Sequence, residues 1–421
     1  MEMPPPPAKL ARITLLPGQS QEKVWSLLYS VLPARNESTP KICAMPITEE
    51  YPALDIASHF AQVEDPRGEQ GKQHRLDEMI TVAICAVICG ADGFASIEQF
   101  GKARADWLER FLTLKNGVPS EDTFGRVLAR IAPEEFERCF LRWVRSACEA
   151  TGGEVVAIDG KTLRRSYDRR SGKAALHMVS AWASQRGMTL GQVKTDAKSN
   201  EITAIPELLR VLEVSGCIVT CDAMGCQKDI AAAITEQEGD YVLALKGSKG
   251  DLHSDAVALF DRLGQPQNRH ESVTGDHGRV EVRRCAAVGV AGRGILDTAG
   301  WPELRTVCRV ESERHMEGPS GGEVQTETRY FISSLEADAE RLLEATRTHW
   351  HVENKLHWVL DVAFGEDDSR IREGHAPQNM AILRRLALNL LKQEETSSVG
   401  VKNRRLRAGW DPDYLLKVLQ A

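Results

Sequence analysis

Three short apolar runs in this chain stop at a residue that can do chemistry. Val155-Val156-Ala157-Ile158 stops at Asp159, Cys217-Ile218-Val219-Thr220-Cys221 stops at Asp222, and the run from Tyr241 to Leu245 stops at Lys246. Runs of this length bounded by polar residues read as buried strands. In an open α/β sheet, ligands bind outside the carboxyl ends of the strands. Two strands that both end in Asp therefore set two carboxylates side by side. Two such anions resist joint ionisation unless a cation lies between them. Mg²⁺ suits that place, because it takes carboxylate and phosphate oxygens. Taken singly, each Asp also reads as a cap on the helix that follows, Asp222 ahead of Cys226 above all.

A third ligand is on offer further along. His349, Glu353 and His357 recur every four residues and so share one helix face, leaving Trp350, Leu356, Val359 and Leu360 to pack. A carboxylate on a helix lying against the sheet can reach the two strand-end carboxylates. The competing readings are a Glu on a solvated face and a zinc hydrolase site, and the H-E-x-x-H spacing of the latter is absent. Directly behind Asp159 comes a basic run, Lys161, Arg164, Arg165, Arg169, Arg170 and Lys173. A metal–carboxylate site that acts on a polyanion needs such cations for its phosphates. The bland alternative is the solvated edge of a hairpin.

These residues need elements to position them. Ala175–Ser184 and Met188–Lys194, joined by Gln185-Arg186-Gly187, read as a hairpin. Helices are predicted over Ile202–Leu212, Gln227–Gln237 and Asp251–Leu263, one long helix from Glu336 to about Leu360, and another from Pro377 to Lys392. Between them, about 270–335 is strand-like and Gly-rich, with Val280-Glu281-Val282-Arg283 alternating. A structureless loop of that length is not expected in a compact domain, so this stretch predicts an inserted, mainly antiparallel β subdomain. Residues 51–150 read as helical, with Ser120 as N-cap of a helix from Glu121 to Ile131. Successive short helices with tight turns fit either a helix-turn-helix DNA reader or a plain bundle. Residues 1–50 read as a poorly ordered Pro-rich leader, and 396–421 as a basic tail.

Composition sets the outer bounds. The 421 residues are 42% hydrophobic and 27% charged, which is ordinary for a globular protein and excludes disorder throughout. The longest apolar run, Met79 to Ala91, is too short to span a bilayer, and no signal-peptide pattern opens the chain. A cytoplasmic protein without membrane partners is expected. The ten cysteines lack C-x-x-C pairs and read as reduced core thiols. The net charge of -7 argues mildly against nucleic acid. Averages hide patches, however, and Arg370 to Arg407 is a second basic stretch.

Several blocks, in order, carry a resemblance. Ala157-Ile158-Asp159-Gly160-Lys161, Cys221-Asp222-Ala223-Met224 and the run His349-Trp350-His351-Val352-Glu353-Asn354-Lys355-Leu356-His357-Trp358 resemble the three catalytic blocks of DDE insertion-sequence transposases of the ISAs type, which include the H-repeat-associated proteins. Leu360-Asp361-Val362 and Glu366-Asp367-Asp368-Ser369-Arg370 extend the third block. Ser199-Asn200-Glu201-Ile202 resembles a block between the first two. Asp276-His277-Gly278-Arg279 and Tyr330–Leu335 are similar to the inserted region. Val63-Glu64-Asp65-Pro66-Arg67 and Asn116–Ser120 are similar to the associated N-terminal domain. Where related transposases carry Tyr, Arg and Lys around the catalytic Glu, this chain has Thr346, His349 and Leu360.

The resemblance covers about 51–395 and implies an α/β, ribonuclease-H-like mixed sheet with flanking helices. It implies that Asp159, Asp222 and Glu353 are the catalytic, metal-binding triad for two Mg²⁺ (or Mn²⁺) ions. It implies cleavage and strand transfer at the terminal inverted repeats of an insertion sequence, with terminal-repeat and target DNA as partners and self-association as a dimer or higher oligomer. Candidate DNA contacts are Lys161, Arg164, Arg165, Arg169, Arg170, Lys246, Arg279, His349, Ser120 and Arg126. The alternatives are a metal-dependent nuclease of the same fold and an inactive DNA-binding remnant.

Overall fold

Strands β1 (Val155–Leu163), β2 (Leu176–Ala183) and β3 (Met188–Thr195) pair antiparallel in sequence order. Every residue of β2 is buried, as a strand covered on both faces requires. Helix α7 (Glu201–Val211) then crosses over to β4 (Ile218–Cys221), and α8 (Lys228–Thr235) to β5 (Asp240–Leu245). β4 lies parallel to β1, and β5 parallel to β4. The four residues of β4 are all buried, the continuous apolar run expected of a parallel strand between helices.

The computed structural model describes residues 54–147, 153–167, 172, 174–195, 201–247, 251–264, 266–276, 279–291, 300–316 and 323–421. The expectations placed on 1–50 and on Arg169, Arg170 and Lys173 lie outside them. After α9 (Asp251–Leu263), strands β6 (Arg269–Asp276), β7 (Arg279–Gly289), β8 (Thr306–Met316) and β9 (Glu323–Ser333) form one antiparallel meander. β9 pairs with β5, so the described strands make a single sheet in the order β3-β2-β1-β4-β5-β9-β8-β7-β6.

The long C-terminal helix is not one regular helix. α10 (Ala339–His349) starts at Asp338, whose carboxylate accepts from the amides of Glu340 and Arg341. A π-helical turn, Val352–His357, follows, and then α11 (Trp358–Phe364). Gly365 ends α11 at φ 59°, a left-handed conformation suited to glycine. α12 (Ala376–Gln393) is buried along nearly its whole length.

The N-terminal helices are α1 (Leu54–Phe60), α2 (Leu76–Ile88), α3 (Phe94–Ala103), α4 (Ala105–Leu108), α5 (Glu121–Leu128) and α6 (Pro133–Ala147). α5 has the cap read from the sequence: Ser120 Oγ accepts from the Thr123 amide at 3.4 Å. Their apolar faces belong to the same core as β1–β3 and α12, and residues 50–421 form one compact unit. The stretch expected as a basic tail folds into α13 (Val401–Trp410) and α14 (Pro412–Leu419). Arg405 of α13 is buried and donates to the carbonyls of Val87, at 2.7 Å, and Ala91, at 3.3 Å. A cation at the carbonyl end of α2 helps to hold this segment, whose Ala408, Tyr414, Leu415, Val418 and Leu419 also join the core.

None of the described helices is long and apolar enough to cross a membrane. None of the eight described cysteines is in a disulfide, and all but Cys89 are buried.

Candidate active site

Ile158 of β1 is paired with Cys221 of β4. Asp159 and Asp222 are the next residues on these two neighbouring parallel strands. β4 stops there. β1 does not: β2 holds it through Leu163, so Asp159 lies within a strand rather than at its end. Asp222 Oδ1 accepts from the amides of Met224, at 2.8 Å, and Gly225, at 3.2 Å. It thus caps the loop after β4. It does not cap α8, whose N-cap position is Gln227.

The Asp159 side chain is 26% exposed. Burial pushes its carboxyl up to about 6; His357 opposes that shift, and the like charges of Asp222 and Glu201 add to it. Glu353 enters from the π-helical turn with its side chain 57% exposed. Between these carboxylates sits His357, 4% exposed, with Nδ1 3.1 Å from Glu353 Oε2 and 3.5 Å from Asp159 Oδ2. A hydrogen bond from His357 holds Glu353 below the usual carboxylate range. One ligand atom each from Asp159, Glu353 and His357 lies within 4.8 Å of the others.

His349 faces another way. Its Nδ1 is 2.9 Å from Thr220 Oγ1 on β4, and burial holds its imidazole down at about 4. Regular helical spacing would put it on the face of Glu353 and His357. The wider π turn changes the phase between α10 and those two residues.

Beside Asp159, His177 Nε2 lies 2.6 Å from Glu201 Oε1 and its Nδ1 2.7 Å from Thr162 Oγ1. This buried pair fills the space next to Gly160. A Cβ there would lie 2.6 Å from His177 Nε2, so only glycine fits.

Lys161 points inward, 8% exposed. Its Nζ contacts Asp361 and lies 3.3 Å from Asp367 and 3.6 Å from Glu366. Glu366 continues to Arg385 at 2.9 Å, both side chains fully buried. Lys161 thus ties β1 to the segment that follows Glu353, and its charge is spent inside the protein. We expect Lys161→Ala to cost about 3–5 kcal/mol of stability, the usual result of removing one partner from a buried ionic cluster. Urea unfolding measures that loss, and an unchanged midpoint would put the charge at the surface.

The other candidate contacts are outward. The Arg164 side chain is 81% exposed and 3.2 Å from Asp367, and Arg165 is exposed and 3.2 Å from Asp368. Lys246 follows β5 and Arg279 opens β7; both are exposed. Arg126 is exposed on α5, where it donates to the Asp122 carbonyl.

Reading the sequence missed a cluster of arginines near Glu353. A cleft of about 620 Å³ opens between one face of β7–β9 and the end of α10. Arg279, Arg283, Arg314, Arg329 and Arg347 line it, together with Trp350, Glu353, Glu281, which pairs with Arg283 and Arg314, and Glu327, which pairs with Arg329. Arg329 lies over the Trp350 ring, 4.8 Å from its centroid. Burial holds the Arg283 guanidinium below its usual range; Glu281 opposes this, while Arg347 and Arg314 add to it. Further along the same face, Cys285, Ala287, Cys308 and Val310 pack with Leu342 of α10. One face of the meander therefore runs from apolar, under the helix, to basic, beside Glu353.

With this geometry in hand, similarity to known proteins becomes informative. A family model described as Transposase DDE domain matches residues 150–390, and one described as DDE_Tnp_1-associated matches 57–144. The chain is 40% identical over 367 residues to the "H repeat-associated putative transposase YhhI" of Escherichia coli K12, covering 86% of this chain and 97% of that one. It is 41% identical over 373 residues to the "Putative transposase YncI" of Escherichia coli O157:H7, covering 86% and 94%. A solved piggyBac transposase synaptic complex with hairpin DNA aligns with TM-score 0.38 and 12% identity, over 89% of this chain and 79% of that one.

Proposed function

This chain belongs to the H repeat-associated DDE transposases, and we propose that it catalyses metal-dependent cleavage and strand transfer of DNA at the terminal inverted repeats of an insertion sequence. One observation carries the reading: Asp159 and Glu353, far apart in sequence, bring ligand atoms within 4.8 Å, and Asp222 follows the residue paired with Ile158. The strand order β3-β2-β1-β4-β5, with two antiparallel pairings and then two parallel ones, supports a ribonuclease-H-like core.

The residues present fit a divalent ion. Asp159, Asp222 and Glu353 are hard oxygen donors, and Asp159 is pushed up by its burial and by the charges of Asp222 and Glu201, against which His357 acts. Two Mg²⁺ or Mn²⁺ ions held there would polarise the phosphodiester, activate water or a 3′-hydroxyl, and stabilise the leaving oxygen. The chain does the rest. The Met224 and Gly225 amides fix one oxygen of Asp222, leaving the other to turn toward the site. His357 holds the Glu353 carboxylate toward β1. The cleft arginines neutralise phosphates beside the scissile bond, which is positioning rather than sequence reading. Exposed Arg164, Arg165 and Lys246 are further candidates for phosphate contact. Terminal-repeat DNA, target DNA and a second copy of the chain are the partners.

Incubation of the purified chain with linear duplex carrying the element's own ends tests this. Mg²⁺ or Mn²⁺ should give nicks at the repeat termini, and EDTA should abolish them. Equal nicking of duplex without repeats would make the protein a nuclease instead.

A further inference from the structure

We infer that His357 is a nitrogen ligand of the metal centre, completing a donor set with one oxygen each from Asp159 and Glu353. The inference rests on the metal-site reading above and goes beyond it, since that reading uses carboxylates alone.

An octahedral ion with bonds of about 2.1 Å holds neighbouring ligand atoms about 3 Å apart and opposite ones about 4.2 Å apart. His357 Nδ1 is 3.1 Å from Glu353 Oε2 and 3.5 Å from Asp159 Oδ2. All three ligand atoms lie within 4.8 Å of one another. The two distances from His357 are those of neighbouring octahedral ligands, and the Asp159 and Glu353 oxygens, within 4.8 Å, have to draw together to close the set.

His357 is buried, and its Nε2 has no hydrogen-bond partner among the described residues. Nδ1 donates to Glu353 in this structure, and Nε2, with no competing partner, can take the proton when Nδ1 turns ligand. With its proton on Nε2, the imidazole presents the Nδ1 lone pair to the point where the carboxylates converge. His349, the other histidine four residues from Glu353, is committed elsewhere, at Thr220.

Glu353 and His357 are both on the π-helical turn. Such turns are rare and concentrate at functional sites. An imidazole among the donors favours a transition-metal ion over Mg²⁺, so the centre should prefer Mn²⁺.

Pulsed electron paramagnetic resonance of Mn²⁺ bound to the full chain, without DNA, tests the inference independently of catalysis. Wild type should show the ¹⁴N modulation of a directly bound imidazole, replaced by the ¹⁵N pattern after ¹⁵N-histidine labelling. His357→Gln should lose the modulation and bind Mn²⁺ about tenfold more weakly, whereas His349→Gln should keep the modulation. If His357→Gln does not fold, the labelled wild type together with His349→Gln still decides. Mn²⁺ bound without nitrogen modulation, with Asp159→Asn abolishing that binding, would overturn the ligand role of His357 and leave the carboxylate site standing. No Mn²⁺ binding, or binding indifferent to Asp159→Asn, would overturn both.

Discussion

Glu353→Gln, Asp159→Asn and Asp222→Asn should each slow cleavage of repeat-end DNA by at least about a thousandfold, about 4 kcal/mol of barrier, while each should still bind that DNA within about twofold of wild type. Every one of these changes removes a negative charge and almost no volume. The loss therefore falls on charge stabilisation at the reacting phosphate, where electrostatic contributions to catalysis are largest. Asp159→Asn carries a second signature. The folded Asp159 carboxyl sits at about 6, above the ordinary 3.8. A raised acid binds its proton more tightly in the folded state, so the charge it must bury weighs against folding as pH rises from about 4 to about 6, and fully above that. In EDTA the variant should be more stable than wild type at pH 7.5, by at most about 3 kcal/mol, and the gain should vanish near pH 4. A residue that destabilises the fold and is needed for activity is there for function. Thermal unfolding at the two pH values, beside cleavage rates, checks both halves; a variant with wild-type activity would drop that carboxylate from the site.

Arg329→Ala and Arg347→Ala should each weaken DNA binding about tenfold at low salt, with little dependence on sequence. Each should also make the slope of log affinity against log salt shallower by about one. The cleft that these side chains line reaches Glu353 itself, so a phosphate at the carboxylates has neighbours that fall among the arginines. Fluorescence anisotropy over a salt series measures both quantities. A double variant with an unchanged slope would remove the cleft from the DNA path.

How much of this was legible in the sequence varies with the distance over which a residue finds its partner. The Ser120 cap is local and was readable, as were most strands and helices. The neighbouring positions of Asp159 and Asp222 followed from two apolar runs of similar kind. Lys161 was misjudged because nearness to Asp159 suggests a phosphate contact, while the acids that hold it lie about 200 residues on, at Asp361 and Asp367. The phase shift in the helix of Glu353 was hidden, since apolar spacing in a window does not register one π turn. The basic cleft was half visible. Alternation in Val280-Glu281-Val282-Arg283 implied one polar face, but only the register, with Glu281 opposite Arg314 and Val310 opposite Arg329, assembles arginines from three strands. The basic composition of 396–421 suggested a loose tail, and nothing local showed that the end of α2 would bind Arg405.

The most direct measurement maps both strands, at single-nucleotide resolution, after the chain is incubated with Mg²⁺, a repeat-ended duplex and a circular target. The account predicts new 3′-hydroxyls at the repeat termini, covalent joints between those termini and the target, and neither product with Asp159→Asn. Breaks scattered along the duplex without joints, or joints that persist with Asp159→Asn, would contradict it.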